Sequence, residues 1–304
     1  MSGIEMSAEL PPTEQRLDAS LDLDERSSLE VLQLLNREDR VAVDAVAAVL
    51  PELAHVVEIA AERFRQGGNV HYFGAGTSGR LGVLDAAELL PTFNIPAGRV
   101  IAHIAGGETA LVRAVEDAED SVDAGRDDAR AVTGDDVVIG LAASGNTPYV
   151  GGALEHGRSV GAYTVLVSSN PHAKLAHLAD TDIVLRTGAE VLTGSTRLKA
   201  ATAEKLVLNG FSTALMVAVG RTWSNLMVSV VATNEKLRDR TARILQEATG
   251  IDADAAHALL TETGGELKTA IVCALTGVDP ARARELLAAA HGSVGEVLAA
   301  RVSA

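Results

Sequence analysis

The sequence is short of several residue types, and each shortage excludes a class of protein. Cys273 is the only cysteine among 304 residues, which excludes an internal disulfide and a cysteine metal cluster. Aromatic residues make up only 3% of the chain although 47% of it is hydrophobic, so we expect a core of alanine, valine and leucine. No stretch reaches the ~18 uninterrupted apolar residues that a membrane-spanning helix requires. The composition therefore predicts a soluble globular protein with no membrane contact.

Positive charge is also scarce, with 26 lysines and arginines against 41 aspartates and glutamates. The resulting net charge of −15 argues against nucleic acid and anionic membranes as partners. An anionic small molecule would therefore have to be held by local N–H groups. Residues 1–15 are polar and acidic and lack the apolar core of a signal peptide, so we expect a cytoplasmic location.

A glycine-rich turn, GAGTSG at residues 74–79, follows a short apolar run that predicts a buried strand. An amphipathic stretch follows the turn. This order suits an anion, because glycine lets the backbone approach a ligand and the N–H groups at a helix start favour negative charge. The hydroxyl groups of Thr77 and Ser78 add uncharged donors. We expect Gly76, Thr77 and Ser78 to contact the ligand.

The same turn has the G-x-G-x-x-G spacing of dinucleotide-binding proteins, which is weak evidence on its own. The next predicted strand ends in Ala-Gly-Gly, without the acidic residue that would bind a ribose. A P-loop requires Gly-Lys-Ser/Thr, whereas Gly79 is followed by Arg80. We interpret the turn as a site for a phosphate ester. A turn that binds no ligand remains the alternative.

Short apolar runs alternate with helical stretches from residue 69 onward. The predicted strands are residues 70–73, 100–104, 136–141, 163–167 and 182–185. This alternation predicts an α/β fold, a three-layer parallel sheet flanked by helices, in which ligands bind at the carboxyl ends of the strands. Beyond residue 199 helices dominate, and we expect long ones at 199–219 and 223–246.

Two further loops at predicted strand ends carry small donor groups, AASGNTPY at 142–149 and GSTRLK at 194–199. The candidate ligand-binding residues that they supply are Ser144, Gly145, Asn146, Thr147, Ser195, Thr196 and Lys199. Because the carboxyl ends of parallel strands meet at one edge of a sheet, three such loops predict a single phosphate-binding site.

The two ends of the chain are predicted to be helical. Residues 1–50 form an N-terminal helical arm, whose first 26 residues we expect to be mobile or wrapped around a partner. Residues 239–304 form a small all-helical C-terminal domain with an internal repeat, because TGID at 249–252 recurs as TGVD at 276–279, an offset of 27 residues. Each copy predicts a helix pair with aspartate near a helix start and glycine in the connection. We expect this domain to serve packing or dimer contacts.

Two acidic segments offer candidates for acid–base catalysis. Glu88 lies ten positions beyond Ser78, about three turns along a helix. It could reach the phosphate turn only if that helix ended near Leu89, or it could serve the site of a twofold-related subunit. Glu119 lies on the same predicted helix face as Glu116. The alternative interpretation is that this face is exposed to solvent and has no catalytic role. A pair of carboxyl groups that act as base and acid needs at least one pKa raised by burial.

Five motifs in order resemble those of the N-acetylmuramic acid 6-phosphate etherase family. They lie at residues 74–82, 104–108, 142–149, 194–199 and 231–237. The resemblance runs from about residue 10 to the C-terminus. It implies a sugar-isomerase (SIS) domain at residues 51–238, a homodimer, no metal or cofactor, and a cytoplasmic role in recycling bacterial cell-wall sugars.

The resemblance also implies a reaction. The family converts N-acetylmuramic acid 6-phosphate and water into N-acetylglucosamine 6-phosphate and D-lactate. Its catalytic glutamates correspond to Glu88 and Glu119. We hypothesise that Glu119 is the base at C2 and that Glu88 is the acid for the departing lactate, although the sequence leaves the division of the two roles open. The chain departs from the family pattern at Ala87, at residues 89–90 and at Asp117, which affects the local fit rather than the reaction.

Two other functions remain open. A sugar-phosphate isomerase of the same fold would also need an acid–base pair, but it would release no lactate. A non-catalytic sugar-phosphate sensor would be similar to the glucokinase regulatory protein, which carries two SIS domains where this chain has room for one.

Overall fold

The structure is a computed structural model and describes residues 10–115, 117–230 and 235–302. Its strands are β1 (Val70–Gly74), β2 (Val100–Ile104), β3 (Val137–Leu141), β4 (Tyr163–Ser168) and β5 (Thr181–Val184). Its helices are α1 (Ser28–Ala47), α2 (Leu50–Arg65), α3 (Gly76–Phe93), α4 (Thr109–Val112), α5 (Val122–Asp128), α6 (Pro148–Val160), α7 (Lys199–Ala218), α8 (Glu235–Thr249), α9 (Ala253–Glu262), α10 (Leu267–Thr276), α11 (Pro280–Ala289) and α12 (Val294–Val302). Within the described part of the chain, no helix is both long enough and apolar enough to cross a membrane.

The five strands form one sheet in the order β2-β1-β3-β4-β5. The pairs β1–β3, β3–β4 and β4–β5 run parallel, with Tyr72 opposite Ile139 and Ile139 opposite Val165. Each strand lies within one residue of its predicted position. Strands β1 and β3 are buried along their whole length, as parallel strands covered on both faces must be. The predicted helix-flanked parallel sheet is confirmed.

Close packing of α6 on the sheet requires a glycine in β3. A Cβ atom added to Gly140 would lie 2.6 Å from the Cγ1 atom of Val150 on α6. The core on this side contains the buried side chains of Phe73, Tyr149 and Leu154. Because α6 fits closely against β3, the loop that joins them is held at the carboxyl edge of the sheet.

Strands β1 and β2 share a stack of rings beside this core. The ring centroid of His103 lies 4.2 Å from that of Phe73 and 5.4 Å from that of His71. The His71 Nδ1 and His103 Nε2 atoms are 3.1 Å apart. Burial, together with the nearby His71, lowers the pKa of His103 to about 4. His103 is therefore neutral at physiological pH and packs as an aromatic side chain.

The described residues divide into two compact units, 10–85 with 101–211 and 86–100 with the residues from 212 onward. The first unit contains the sheet. The second contains α8 to α12 around a core of small apolar side chains, among them Leu245, Ile271 and Val294. The predicted small all-helical C-terminal part is therefore present. The domain boundaries at residues 50 and 238 stay a prediction.

The 27-residue repeat corresponds to two similar helix pairs, α9 with α10 and α11 with α12. Asp252 caps α9 by accepting a hydrogen bond from the N–H of Ala255, and Asp279 caps α11 in the same way. The connecting glycines, Gly265 and Gly292, both have positive φ. Each donates its N–H to a leucine carbonyl five residues earlier at 2.7 Å. The prediction of an aspartate near a helix start and a glycine in the connection is confirmed in both copies.

The predicted helix over 223–246 is wrong at its N-terminal end. Residues 223–230 form turns with an isolated bridge between Trp223 and Leu226, and α8 begins only at Glu235. Ser224 has a φ of 51°, which interrupts any helix there. The valines at 228 and 230 are β-branched and lower the helix propensity of this stretch further.

Candidate functional site

A cavity of about 360 Å³ lies at the carboxyl ends of β1 and β3, in the unit that contains the sheet. Its walls consist mostly of small polar side chains and loop backbone. Of the predicted site residues it brings together Gly76, Thr77, Ser78, Glu119, Ser144, Asn146, Thr147 and Thr196. Loops that are up to about 120 positions apart in the sequence therefore meet at one edge of the sheet, as the topology requires.

The turn between β1 and α3 is built closely enough to need its glycines. A Cβ atom on Gly74 would lie 2.7 Å from the backbone nitrogen of Gly79. A Cβ atom on Gly79 would lie 2.6 Å from the Cγ1 atom of Ile104. The tight turn starts α3 at Gly76, so its first N–H groups, which lack partners within the helix, lie beside the cavity with Thr77 and Ser78.

Hydrogen bonds from residues 169–175 hold the loop between β3 and α6 in place. The side-chain amide of Asn170 donates to the carbonyl of Ser144 at 2.9 Å, and the N–H of Lys174 donates to Asn146 Oδ1 at 2.9 Å. Gly145 has a φ of 66°, and a Cβ atom there would lie 2.3 Å from the Cβ atom of Ala173. Gly145 is absent from the cavity wall and instead allows the loop to pack.

In the third loop only Thr196 and Gly194 line the cavity, whereas the predicted residues Ser195 and Lys199 do not. Lys199 is 3% exposed, and its Nζ atom pairs with Glu38 Oε2 on α1 at 2.8 Å. Glu190 accepts the N–H groups of Lys199 and Ala200 at the start of α7. The pair with Glu38 occupies the Lys199 side chain, so its role as a ligand for the substrate stays a prediction.

Glu119 reaches the cavity from a short 3-10 helix, Ala118–Asp120, and its side chain is exposed. The helix follows Asp117, whose φ of 62° makes a sharp turn. Glu119 also lines a neighbouring cavity of about 260 Å³, which shares Ala75 and Gly76 with the first. The predicted partner on the same helix face, Glu116, lies outside the described residues.

Glu88 lies on α3 with an exposed side chain and is not part of the cavity wall. The helix does not end near Leu89 but continues to Phe93, although it contains Pro91. It ends where Asn94 takes a φ of 52° and donates its N–H to the carbonyl of Leu90. Ten residues of α-helix separate Glu88 from Ser78, a distance of about 15 Å along the axis.

Outside the acidic segment that contains Glu119 and Asp120, sequence reasoning missed two carboxyl groups at this site. Glu204 on α7 is 3% exposed, and its Oε2 atom accepts a hydrogen bond from Ser78 Oγ at 2.8 Å. Burial raises the pKa of Glu204 to about 7, against the lowering effect of the Ser78 hydrogen bond. A single acidic residue inside the apolar stretch 200–208 was the signal that could have identified it.

The other missed carboxyl group is Glu14, which lines the cavity from the 3-10 helix Pro12–Glu14. The N–H of Gly194 donates to the carbonyl of Thr13 at 3.2 Å, so this part of the N-terminal segment packs against the third loop. The expectation of a mobile arm included these residues, whereas the structure uses them as part of the wall.

Many curated proteins match this chain over most of its length, and two of them illustrate the match. The N-acetylmuramic acid 6-phosphate etherase of Thermobifida fusca (strain YX) is 54% identical over 265 residues, which cover 87% of each chain. The etherase of Pectobacterium atrosepticum is 48% identical over 300 residues, 98% of this chain and 99% of the relative. The chain belongs to the N-acetylmuramic acid 6-phosphate etherase family. The resemblance that the five sequence motifs suggested is thereby confirmed.

Membership of the etherase family agrees with a match at the domain level. Residues 52–158 match the family described as the glucokinase regulatory protein N-terminal SIS domain. Among solved structures, a phosphoheptose isomerase from Francisella tularensis is 18% identical with a TM-score of 0.48, covering 62% of this chain and 98% of its own. Of the five motifs, residues 231–234 lie outside the described residues.

Proposed function

We propose that the protein cleaves the D-lactyl ether of N-acetylmuramic acid 6-phosphate and yields N-acetylglucosamine 6-phosphate and D-lactate. The observation that carries the proposal is about 50% identity, over almost the whole chain, to proteins that carry this name. The cavity supports it, because helix N–H groups and the hydroxyls of Thr77, Ser78 and Thr196 suit a phosphate group without needing a cationic wall.

The reaction that we assign to the cavity begins with the open-chain sugar. The C2 proton is acidic because C2 neighbours the C1 aldehyde, and the carboxylate of Glu119 removes it. The C3–O bond then breaks, and the ether oxygen leaves with D-lactate after taking a proton from the carboxylic acid of Glu88. Water adds to C3 of the unsaturated intermediate, and C2 regains a proton. Each glutamate thus acts once as base and once as acid.

The position of Glu88 leads to a proposal about assembly. A catalytic acid must lie within hydrogen-bond reach of the leaving oxygen. Glu88 is about 15 Å along α3 from Ser78, so it does not reach a phosphate ester bound at its own helix start. We propose a homodimer in which Glu88 of one subunit acts in the site of the other. A cytoplasmic location is part of the same proposal, since the substrate is a phosphorylated sugar.

The test is D-lactate release from purified N-acetylmuramic acid 6-phosphate. The wild-type protein should release one D-lactate for each N-acetylglucosamine 6-phosphate formed. Glu88→Gln and Glu119→Gln should each reduce the rate by about 10²–10⁴-fold, the contribution of one general acid or base. Glu285→Gln, on an exposed side of α11, is the matched control and should keep full activity. Full activity of both catalytic variants would contradict the assignment of these residues.

The two other functions would give different products in the same incubation. A sugar-phosphate isomerase would convert an aldose phosphate to a ketose phosphate and leave the lactyl ether intact. A non-catalytic sensor would bind the sugar phosphate and change nothing. Absence of D-lactate with wild-type protein would therefore overturn the proposed function whatever the variants do.

A further inference from the structure

A buried acid lies directly behind the turn to which we assign the phosphate, and the proposed chemistry does not use it. The Oε2 atom of Glu204 is 2.8 Å from Ser78 Oγ, and Ser78 itself lines the cavity. The Oε1 atom of Glu204 is buried and has no hydrogen-bond partner among the described residues. Because Glu204 is not part of the cavity wall, Ser78 is the side chain through which it can act on a ligand there.

The hydroxyl group of Ser78 has one proton to donate, and the state of Glu204 decides where it goes. If Glu204 is a carboxylate, Ser78 donates to it and has no proton left for a phosphate oxygen, which can only accept. If Glu204 is a carboxylic acid, it donates to Ser78 Oγ, and the Ser78 proton is free for the phosphate. A Glu204 carboxylate would also repel the phosphate dianion, because charges in a buried position are poorly screened.

The surroundings of Glu204 allow this change of state near neutral pH. Burial raises its pKa to about 7, the hydrogen bond from Ser78 opposes this rise, and no charged group among the described residues contributes to the shift. The two lysines nearest to Glu204 on its own helix have other partners. Lys199 pairs with Glu38, and Lys205 donates a hydrogen bond to the side-chain oxygen of Asn209. On α3, Asp85 accepts the hydroxyl proton of Tyr72 and Arg80 donates to two backbone carbonyls. Among the described residues, the carboxylates that line the cavity itself are Glu14, Glu119 and Asp120.

We propose that Glu204 is a positioning residue that takes up one proton when a sugar phosphate binds, and so turns the Ser78 hydroxyl toward the phosphate. The balance is simple: one proton from solvent joins the Glu204 carboxylate, and the Ser78 O–H bond reorients without breaking. The proposal rests on the proposed function, because it takes the Ser78 turn as the phosphate site. Binding of the sugar phosphate should then depend on pH through a residue that never touches it.

The experiment measures binding of N-acetylglucosamine 6-phosphate by calorimetry at pH 6 and pH 8, in buffers with different ionisation enthalpies. With a pKa of about 7, roughly nine-tenths of Glu204 is ionised at pH 8 and about one-tenth at pH 6. Wild-type protein should therefore take up about 0.9 proton through Glu204 on binding at pH 8. The ligand phosphate titrates near pH 6 as well, so each value is compared with that of a variant at the same pH.

The matched variant is Glu204→Gln, whose amide N–H donates to Ser78 Oγ at every pH. The ratio of the wild-type Kd to the variant Kd should rise about tenfold from pH 6 to pH 8, and the proton uptake through residue 204 should disappear. Ser78→Ala should bind weakly at both pH values and lose most of the pH dependence attributed to Glu204, because only the direct repulsion between the carboxylate and the phosphate remains. A merely structural role for Glu204 would change stability but leave the proton uptake equal in wild type and Glu204→Gln.

Equal proton uptake and an unchanged Kd ratio would overturn the proposal. If Glu204→Gln does not fold, equal proton uptake in wild type and Ser78→Ala would overturn it in the same way. Failure of the proposed function gives a separate result, since wild-type protein would then release no D-lactate from N-acetylmuramic acid 6-phosphate even if it bound the product with proton uptake.

Discussion

A site shared between subunits makes a quantitative prediction for mixed dimers of Glu88→Gln and Glu119→Gln. Each variant alone should be inactive, because every site of its homodimer lacks one glutamate. In a mixed dimer, one site receives Glu119 from the first subunit and Glu88 from the second, and it is intact, while the other site lacks both. Random exchange makes half of the dimers mixed, so about one quarter of wild-type activity should return.

The distances behind this prediction come from α3. Glu88 is about 15 Å along the helix from Ser78. In the proposed complex the sugar extends away from the helix start, so the five bonds from phosphorus to C3 add roughly 6–7 Å in the same direction. The two distances add to about 20 Å, far beyond the reach of a glutamate side chain. Glu88 of the same subunit therefore cannot protonate the ether oxygen of a sugar whose phosphate is held at the Ser78 turn.

The assay mixes the two variants under conditions that exchange subunits and follows D-lactate with time. Differently tagged subunits and native mass spectrometry give the fraction of mixed dimers, to which the recovered rate is normalised. Each variant carried alone through the same exchange is the control. If mixed dimers form and no activity returns, the two glutamates act from one subunit or do not form a pair, and the reasoning from α3 is refuted.

Three further predictions concern stability and the structure around the cavity. Gly145→Ala should lower the unfolding free energy by about 1–3 kcal/mol through overpacking. Gly76→Ala has open space around it and should cost only about 1 kcal/mol of backbone strain. Thermal unfolding measures the loss of stability in each variant, and equal losses would contradict the packing argument. Lys199→Met should cost about 3 kcal/mol, the low end of the range for a buried pair, because it leaves the partly buried carboxylate of Glu38 unpaired. Glu38→Gln in the same chain should recover part of that loss in urea unfolding, and no recovery would argue against the pair. The pKa of His103 is lowered to about 4, so below pH 6.5 the unfolded chain binds a proton at His103 and the folded chain does not. The free energy of unfolding should therefore fall by about 2 kcal/mol between pH 6.5 and pH 4. His103→Phe should reduce this pH dependence of the unfolding free energy, and an unchanged pH dependence would contradict the prediction.

The sheet could be predicted from the sequence because its signals are local. Short β-branched runs between glycine-rich turns identify buried parallel strands, and all five lie within one residue of their predicted positions. The helix starts in the C-terminal repeat could also be predicted from the local sequence, because Asp252 and Asp279 cap their helices with their own side chains. The helix predicted from Trp223 was wrong at its start because Ser224 has a positive φ, which the apolar pattern of the sequence does not reveal.

The site could be predicted only in part. Residues in loops that follow strands, such as Ser78, Ser144 and Thr196, are found in one cavity because topology brings these loops to one edge of the sheet. Glu204 follows no strand, and its contact with Ser78 spans 126 positions and depends on how α7 packs. Glu14 lies in a segment with no periodic pattern. Pairings of this kind need the tertiary structure, because nothing in the local sequence encodes them.

The central claim is that the cavity hosts elimination of lactate from the sugar followed by addition of water at C3. The most direct measurement is the reaction of N-acetylmuramic acid 6-phosphate in water enriched in oxygen-18, with both products analysed by mass spectrometry and NMR. Cleavage of the C3–O bond predicts oxygen-18 at the C3 hydroxyl of N-acetylglucosamine 6-phosphate and D-lactate without label at its hydroxyl. Oxygen-18 in the lactate hydroxyl and none at C3, or no lactate at all, would contradict the claim.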